Sequence, residues 1–272
     1  MTKLDSTGAW QEASAAIAAN REVLLTLAGV FFLLPRLIIG LLAPVPEAQA
    51  GMDIAAMGAM MQGYYLRALP WILPMVVLEA AGTLAMLTLF EDRSRPTVRE
   101  AIRGGFLGVV SYLAAELIFG FGISFGGGVL LGLASISGSK PLAMVVMAVL
   151  ISAIFYGFFR LVLLAPVVAV ERERNPLRAL VRAWNLPAGN VGRLFAMLIL
   201  LGMIAIVAMV ATVGIGGSLV ALVGGADAGK TAGTVLEAIL DAVFAVYLVA
   251  ILAAIHRQLA GAPPAVTGHI FS

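Results

Sequence analysis

Six long apolar runs dominate this chain and constrain its fold more than any other feature. Each run is long enough for a helix that crosses the hydrocarbon core of a bilayer, which needs roughly 20 apolar residues. Of the 272 residues, 61% are hydrophobic and only 12% are charged, a composition that a soluble domain could not keep dissolved. The sequence therefore predicts an all-α, polytopic membrane protein with six transmembrane helices. The runs cover residues 23–42, 69–90, 106–134, 142–170, 194–223 and 235–255.

Basic residues near the ends of the runs predict the orientation, because Lys and Arg in short loops favour the cytoplasmic side of a membrane. The side with few basic residues has Arg67, Lys140 and Lys230. We therefore expect both termini to be cytoplasmic. We also expect the first run to remain as a helix, since it is too long for the apolar part of a signal peptide. The basic residues assigned to the cytoplasmic side are Lys3, Arg21, Arg93, Arg95, Arg99, Arg103, Arg172, Arg174, Arg178, Arg182, Arg193 and Arg257.

Two of the predicted cytoplasmic loops share an amphipathic pattern. Arg99 and Arg103 in one loop, and Arg178 and Arg182 in the other, are spaced four residues apart, with apolar residues on the opposite helix face. Helices of this kind lie in the membrane interface with their basic side chains toward lipid phosphates. We therefore predict that these four arginines contact lipid headgroups.

This pattern divides the chain into three similar units. Interfacial helices are expected near residues 96–104 and 175–186, and residues 1–22 form a weaker third copy. Each interfacial helix would precede one transmembrane hairpin, so that six spanning helices form three hairpins. We predict a single transmembrane domain, 1–272, with a six-helix bundle over 23–258 and a cytoplasmic tail over 259–272.

Residues 159–194, FRLVLLAPVVAVERERNPLRALVRAWNLPAGNVGRL, resemble the signature of the bacterial glycerophosphodiester phosphodiesterase membrane-domain family. That signature has an apolar segment with a proline, an acidic residue, an amphipathic helix of the form ALxRSW and a glycine turn. The resemblance implies a multi-pass protein of the bacterial inner, or cytoplasmic, membrane. It does not imply phosphodiesterase activity, because hydrolysis in that family resides in a separate barrel domain for which this chain has no room. The matching positions are Pro166, Glu171, Ala179 to Trp184, Leu186 and Gly189, with Ala183 where serine is common.

Ionisable residues inside the apolar runs are the main pointers to function. A charged side chain at the centre of a bilayer costs about 3 kcal/mol on insertion scales, so such groups usually face the protein interior and have partners. We predict that these side chains bind a ligand or couple its movement to protons. They are Arg36, Glu79, Glu116, Arg160, Glu237 and Asp241.

Counting residues from the end of each run predicts two polar layers. Glu79, Glu116 and Arg160 fall about 15 to 17 Å from the cytoplasmic end, near the midplane, whereas Arg36 and Asp241 fall at about 21 to 24 Å. The central layer would hold two carboxylates and one guanidinium. The excess carboxylate makes proton coupling a hypothesis, with helix association through polar pairs as the structural alternative.

Glycine pairs with the spacing GxxxG occur in the third run. They are Gly122 with Gly126 and Gly128 with Gly132. This spacing is typical of closely packed membrane helices, and a broken helix lining a cavity is the alternative.

Residues 224–231, GGADAGKT, match the P-loop pattern letter for letter, but the context argues against a nucleotide site. A P-loop follows a buried strand, whereas this segment is a turn between two membrane helices. The chain has no cysteine, and its histidines, His256 and His269, lack the spacing of metal ligands. His256 is expected to be an interfacial residue beside Arg257. We therefore expect no metal, no cofactor, no nucleotide and no nucleic acid.

Three functional hypotheses follow from these residues. In the first, the protein binds or translocates a lipid or another amphiphile at an intramembrane polar site. In the second, it is a non-catalytic accessory or assembly subunit whose partner is another membrane protein or a second copy of the chain. In the third, it is an intramembrane lipid-modifying enzyme with Glu79 or Glu116 as the general acid or base. The chain has no Ser-His-Asp, HExxH or GxSxG arrangement, which leaves the hydrolase class with little support. We favour the first hypothesis, with membrane lipids as partners, because packing alone hardly explains an excess carboxylate near the midplane.

Overall fold

A computed structural model describes residues 3–47, 51–91 and 96–261 of the chain, and in this part it contains helices and no strands. Six continuous stretches are long and apolar enough to cross a membrane, as the sequence predicts. The prediction of an all-α chain with six spanning helices is therefore confirmed. The helices are α1 Ser6–Ala19, α2 Arg21–Ala28, α3 Leu34–Leu42, α4 Ile54–Glu91, α5 Val98–Ile136, α6 Lys140–Leu161, α7 Leu164–Ala169, α8 Pro176–Asn185, α9 Val191–Met209, α10 Gly216–Gly224 and α11 Ala226–Ala260.

A π-helical turn joins α2 to α3 within the first span. It covers Gly29–Leu33, and the Leu34 N–H donates to the Gly29 carbonyl, five residues back. Pro35 follows at the start of α3 and has no N–H to continue the α-helical hydrogen bonds. The turn thus accommodates the proline and sets the direction in which Arg36, the next residue, projects. A second π turn, Val210–Ile215, joins α9 to α10.

The start of α5 corrects one prediction. The Glu100 N–H donates to Thr97 Oγ1 at 3.3 Å, and the Thr97 N–H donates to Glu100 Oε2 at 2.8 Å, a reciprocal cap that starts the helix at Val98. The helix predicted near 96–104 is therefore not a separate element, since these residues form the first turns of the 39-residue helix α5.

The second predicted interfacial helix exists as a separate element. In α8, the side chain of Asn175 accepts hydrogen bonds from the N–H groups of Leu177 and Arg178, at 3.0 and 3.2 Å. Pro176 occupies the first helical position, where its missing N–H costs nothing. The Asn-Pro signal in the sequence therefore located this helix correctly.

The N-terminal helix α1 packs against the last span. Trp10 stacks on Tyr247 of α11 with 5.7 Å between ring centroids, and Glu12 pairs with Arg257 at 2.9 Å. Ahead of α1, the Asp5 N–H donates to the side chain of Gln258 at 3.0 Å. These contacts fix residues 5–12 along α11, so this part of the predicted interfacial segment forms a layer of the bundle.

The most buried part of the protein lies where α4, α7 and α11 come together. Leu84, Leu87, Val167, Ile251 and Ile255 are each at most 1% exposed. We call this end of the molecule, where α4 and α11 end and α5 and α8 begin, the basic end.

Away from the basic end, the bundle is open. In the most apolar window of the spans Val98–Ile136, Lys140–Ala169 and Val191–Gly224, only 11%, 11% and 6% of the residues are buried. The first, second and last spans therefore form a packed unit, and the other three present most of their apolar surface outward.

Candidate functional site

Three charged side chains from three separate helices meet inside the packed unit. Nε of Arg36, on α3, lies 3.0 Å from Oε1 of Glu79, on α4, and 3.6 Å from Oδ2 of Asp241, on α11. All three residues lie within spanning stretches. We call Arg36, Glu79 and Asp241 the charged cluster.

Small residues bring the three helices close enough to form this cluster. A Cβ on Gly40 of α3 would lie 2.5 Å from the Cγ2 atom of Thr234 on α11, and a Cβ on Gly82 of α4 would overlap the Phe31 side chain in the π turn. Each glycine lies about one turn from a member of the cluster. The close approach of α3 to α11 at Gly40, and of α4 to the π turn at Gly82, therefore brings the three charged side chains together.

The cluster is open on one side. The side chain of Arg36 is 46% exposed, and those of Glu79 and Asp241 are 23% and 30% exposed. Among the described residues, the terminal guanidinium nitrogens of Arg36 have no hydrogen-bond partner. With all three groups ionised, the cluster has a net charge of −1, so it can still accept a proton, a cation or a polar group with hydrogen-bond donors.

The predicted depth groups Glu79 with Glu116 and Arg160, whereas in the structure its ion-pair partner is Arg36. The predicted depths of Arg36 and Glu79 differ by about 5 Å, which is roughly one helical turn. A long, flexible arginine side chain covers that distance, so equal depth was too strict a criterion for pairing.

Arg160, at the end of α6, connects α6 to α8. Its Nε donates to the Tyr156 hydroxyl at 2.9 Å, and its Nη1 donates to the Trp184 carbonyl at 3.0 Å. The guanidinium also lies 5.4 Å from the ring centroids of both Tyr156 and Trp184, within cation–π range. A cation beside the C-terminal carbonyls of α8 is electrostatically favourable, so the geometry gives Arg160 a role in fixing α8.

Glu116, on α5, makes no ion pair with Arg160, whose hydrogen-bond partners are Tyr156 and Trp184. Glu116 is exposed and interacts with the Tyr112 hydroxyl one turn earlier. The Glu116 carboxyl and the Arg160 guanidinium therefore remain apart.

Glu237, the last of the intramembrane candidates, lies outside the charged cluster. It is exposed and makes no ion pair with another described residue, whereas Asp241, one turn later on α11, joins the cluster. The two carboxylates thus share a helix face but have different surroundings.

The four arginines predicted to contact headgroups also differ from one another. Arg99, Arg103 and Arg178 are exposed and form no ion pair with a described residue. Arg182 instead pairs with Glu171, its Nε lying 2.8 Å from Oε2.

The pair of Glu171 with His256 is a contact that the sequence did not reveal. His256 Nε2 lies 3.2 Å from Glu171 Oε1, and His256 is only 3% exposed, which corrects its predicted place at the interface. Arg257, beside it, is also buried and donates to the Phe90 carbonyl at 2.9 Å. Glu171 and His256 are 85 residues apart in the sequence, so no local spacing could have indicated their contact.

The Glu171 contact predicts a pH dependence of stability. Burial raises the pKa of this carboxyl, but hydrogen bonds from Arg182 and His256 outweigh burial and lower the pKa below its ordinary value of 4.5. A depressed folded-state pKa contributes stability that is present above pH 4.5 and is lost as the pH falls through the lowered value. We therefore expect Glu171→Gln to lower the thermal unfolding temperature near neutral pH, and the difference from the unsubstituted protein to shrink in acid. An equal difference at neutral and acid pH would contradict this assignment.

The segment 224–231, which matches the P-loop pattern, takes part in helix packing. A Cβ on Gly229 would lie 2.5 Å from Cβ of Ala221 and 2.9 Å from the Gly217 carbonyl, so this glycine lets α10 and α11 touch. Lys230 pairs with Glu47 at 2.9 Å. No strand precedes the segment in the described structure.

No group of three His, Asp or Glu side chains with metal-binding geometry occurs in residues 3–47, 51–91 and 96–261. No family model, curated protein or solved structure matches this chain. The functional inference therefore rests on the chain's own residues.

Proposed function

We propose that this integral membrane protein binds the polar head of a lipid or another amphiphile at the charged cluster, and that it translocates this ligand. The observation that carries the proposal is that Arg36, Glu79 and Asp241 meet inside the spanning bundle while nearly half of the Arg36 side chain stays exposed.

Polar pairs that only hold helices together need no open side. In this cluster, the Arg36 guanidinium has unused donors, and two carboxylates share one cation. A polar headgroup with both donors and acceptors would satisfy these groups, and its apolar chains would lie along the exposed surfaces of the neighbouring spans. Uptake of a proton by the excess carboxylate would offer a way to couple ligand release to pH.

Retention of a bound amphiphile tests the proposal. We expect the protein, extracted directly from its membrane into nanodiscs, to retain a defined amphiphile that native mass spectrometry detects. Glu79→Gln and Arg36→Gln should each reduce this retention about tenfold, the effect of one charge-assisted hydrogen bond.

Glu47→Gln is the matched control, because it removes a carboxylate from an ion pair with Lys230 that is exposed on both sides. Its retention should equal that of the unsubstituted protein. Unchanged retention in folded Glu79→Gln and Arg36→Gln variants would refute the assignment of the cluster.

The open spans favour a second candidate function, that of an accessory subunit. The apolar surfaces of α5, α6 and α9 have little cover within the chain, and another membrane protein or a second copy could occupy them. In the same nanodisc experiment, a stoichiometric protein partner without a retained amphiphile would favour this function.

Enzymatic use of Glu79 and Glu116 together has less support. Glu79 lies in the charged cluster and Glu116 lies beside Tyr112 on α5, and no contact joins them among the described residues. Membership of the glycerophosphodiester phosphodiesterase membrane-domain family and location in a bacterial inner membrane stay predictions.

A further inference from the structure

Arg174 differs from the exposed arginines at the basic end, because its guanidinium lies against the apolar side chains of Leu84 and Val168. It follows α7 in the short loop before α8. Its Nη1 lies 2.7 Å from the position that a Cβ on Gly108 of α5 would occupy, and Leu84 and Val168 line the same spot at 2.9 and 3.4 Å. Only a residue without a side chain leaves room for the guanidinium there.

Among the residues that the structure describes, no acidic side chain pairs with this guanidinium. Arg174 makes no ion pair or hydrogen bond with another side chain in the described parts of the chain, although Glu173 is its neighbour. The Glu173 carboxylate accepts a hydrogen bond from the Asn175 N–H at 2.9 Å, and the Glu173 carbonyl accepts one from Ser111 at 3.4 Å. The loop is thus held to α5 in a way that directs Glu173 to other partners.

The electrostatic surroundings of Arg174 are unfavourable without an anion. Desolvation lowers the pKa of its guanidinium, and the positive charge of Arg172 lowers it further. Part of the Arg174 side chain nevertheless remains accessible, since the residue as a whole is exposed. A partly desolvated guanidinium beside a second positive charge gains most from an anion that forms charge-assisted hydrogen bonds.

We infer that Arg174, seated on Gly108, binds a phosphate group at the basic end of the bundle. Two sources supply this chemistry: the headgroup of an anionic lipid and a free phosphate ion. The site is formed by α4, α5, α7 and the loop before α8, and it shares no residue with the charged cluster, so it does not depend on the proposed role of that cluster.

The full-length protein in nanodiscs tests the site. The nanodiscs contain phosphatidylcholine doped with phosphatidic acid, and native mass spectrometry measures how much phosphatidic acid the protein retains. We expect Arg174→Gln to reduce retention about tenfold, because one guanidinium–phosphate interaction is lost. Gly108→Ala should reduce it by a similar factor without any change in charge, since the new methyl group displaces the guanidinium.

Each substitution has a matched control in the same chain. Arg21→Gln removes the same charge from an exposed position at the start of α2. Gly104→Ala adds the same methyl group one turn earlier on α5, where no atom lies within 4 Å. Both controls should retain phosphatidic acid as the unsubstituted protein does.

A second arm identifies the source of the phosphate. The protein in detergent without phospholipid is titrated with inorganic phosphate, and ³¹P line broadening reports binding. Broadening that Arg174→Gln abolishes would support a free-phosphate site, whereas retention of phosphatidic acid without broadening would support a lipid headgroup site.

Equal retention in Arg174→Gln and Arg21→Gln, together with no broadening, would overturn the inference. Equal retention in Gly108→Ala and Gly104→Ala would refute the claim that the space at Gly108 positions the Arg174 guanidinium for phosphate. If Arg174→Gln fails to fold, Arg174→Lys takes its place, because it keeps the charge and removes the planar fork that binds phosphate in two places.

Discussion

Replacement of Arg36 by leucine is expected to destabilise the protein by about 3 kcal/mol, the cost of leaving a charged group unpaired near the middle of a bilayer. Glu79 and Asp241 both use Arg36 Nε as their cationic partner, at 3.0 and 3.6 Å. Without the guanidinium, two carboxylates share a site of low dielectric constant. One of them must then take up a proton or draw in water.

A double-mutant cycle separates this pair from general packing effects. Arg36→Leu, Glu79→Leu and the double variant are unfolded thermally in one detergent, and the free energies are compared. We expect the double variant to lose less stability than the sum of the two single variants, because the sum counts the lost Arg36–Glu79 pair twice and the double variant loses it once. In the double variant Asp241 alone lacks its cationic partner.

Lys230→Gln is the control for this cycle. Its ion pair with Glu47 is 66% and 79% exposed on the two sides, so its loss should leave the unfolding temperature almost unchanged. Additive losses for Arg36→Leu and Glu79→Leu would mean that the two side chains do not interact in the folded protein.

The cycle also distinguishes the two roles that the charged cluster can have. A purely structural cluster gives a large coupling energy and no effect on bound amphiphile in the folded variants. A ligand-binding cluster shows both effects, because the same guanidinium stabilises the bundle and receives the headgroup. Conservative changes such as Glu79→Gln, which keep the shape of the side chain, should therefore affect retention more than stability.

Features with a local cause were predictable from the sequence. The six spans follow from composition and length alone. The start of α8 follows from Asn175 and Pro176, because the capping Asn side chain and the fixed φ of Pro favour a helix start independently of the tertiary fold. The candidate list also contained all three members of the charged cluster, because intramembrane charge is costly for any fold. What these predictions share is that each depends on one residue or one short segment.

Partnerships between distant residues were not predictable in the same way. The π turn before Pro35 and the close contact of Gly40 with Thr234 determine which way Arg36 projects, and neither leaves a sequence pattern that identifies Glu79 as the partner. The helix predicted near 96–104 likewise gave no sign in the sequence that it continues into the next span. In the structure, the helix that starts after the Thr97 cap runs on without a break as α5. Both cases show that helix continuity and register, rather than residue type, decided the outcome.

Glycine spacing is the clearest case in which a sequence pattern selected the wrong residues. The GxxxG pairs predicted close packing at Gly122, Gly126, Gly128 and Gly132, yet a Cβ on any of them would meet nothing within 4 Å. The glycine of α5 that lies against backbone atoms of α4 is Gly105, where a Cβ would lie 2.5 Å from the Ala81 carbonyl and 3.0 Å from the Ala85 N atom. A contact with backbone atoms cannot be relieved by rotating a side chain.

Gly105→Ala is therefore expected to cost about 2 kcal/mol, since α4 and α5 must move apart. Gly122→Ala, with the same added methyl group on the same helix, should gain about 0.5 kcal/mol, because alanine is the better helix former. Thermal unfolding of both variants in one detergent measures this difference. A loss for Gly122→Ala as large as that for Gly105→Ala would show that another helix covers the glycine face of α5, since lipid chains would yield to one methyl group. That result would favour the accessory-subunit function over an α5 that faces lipid.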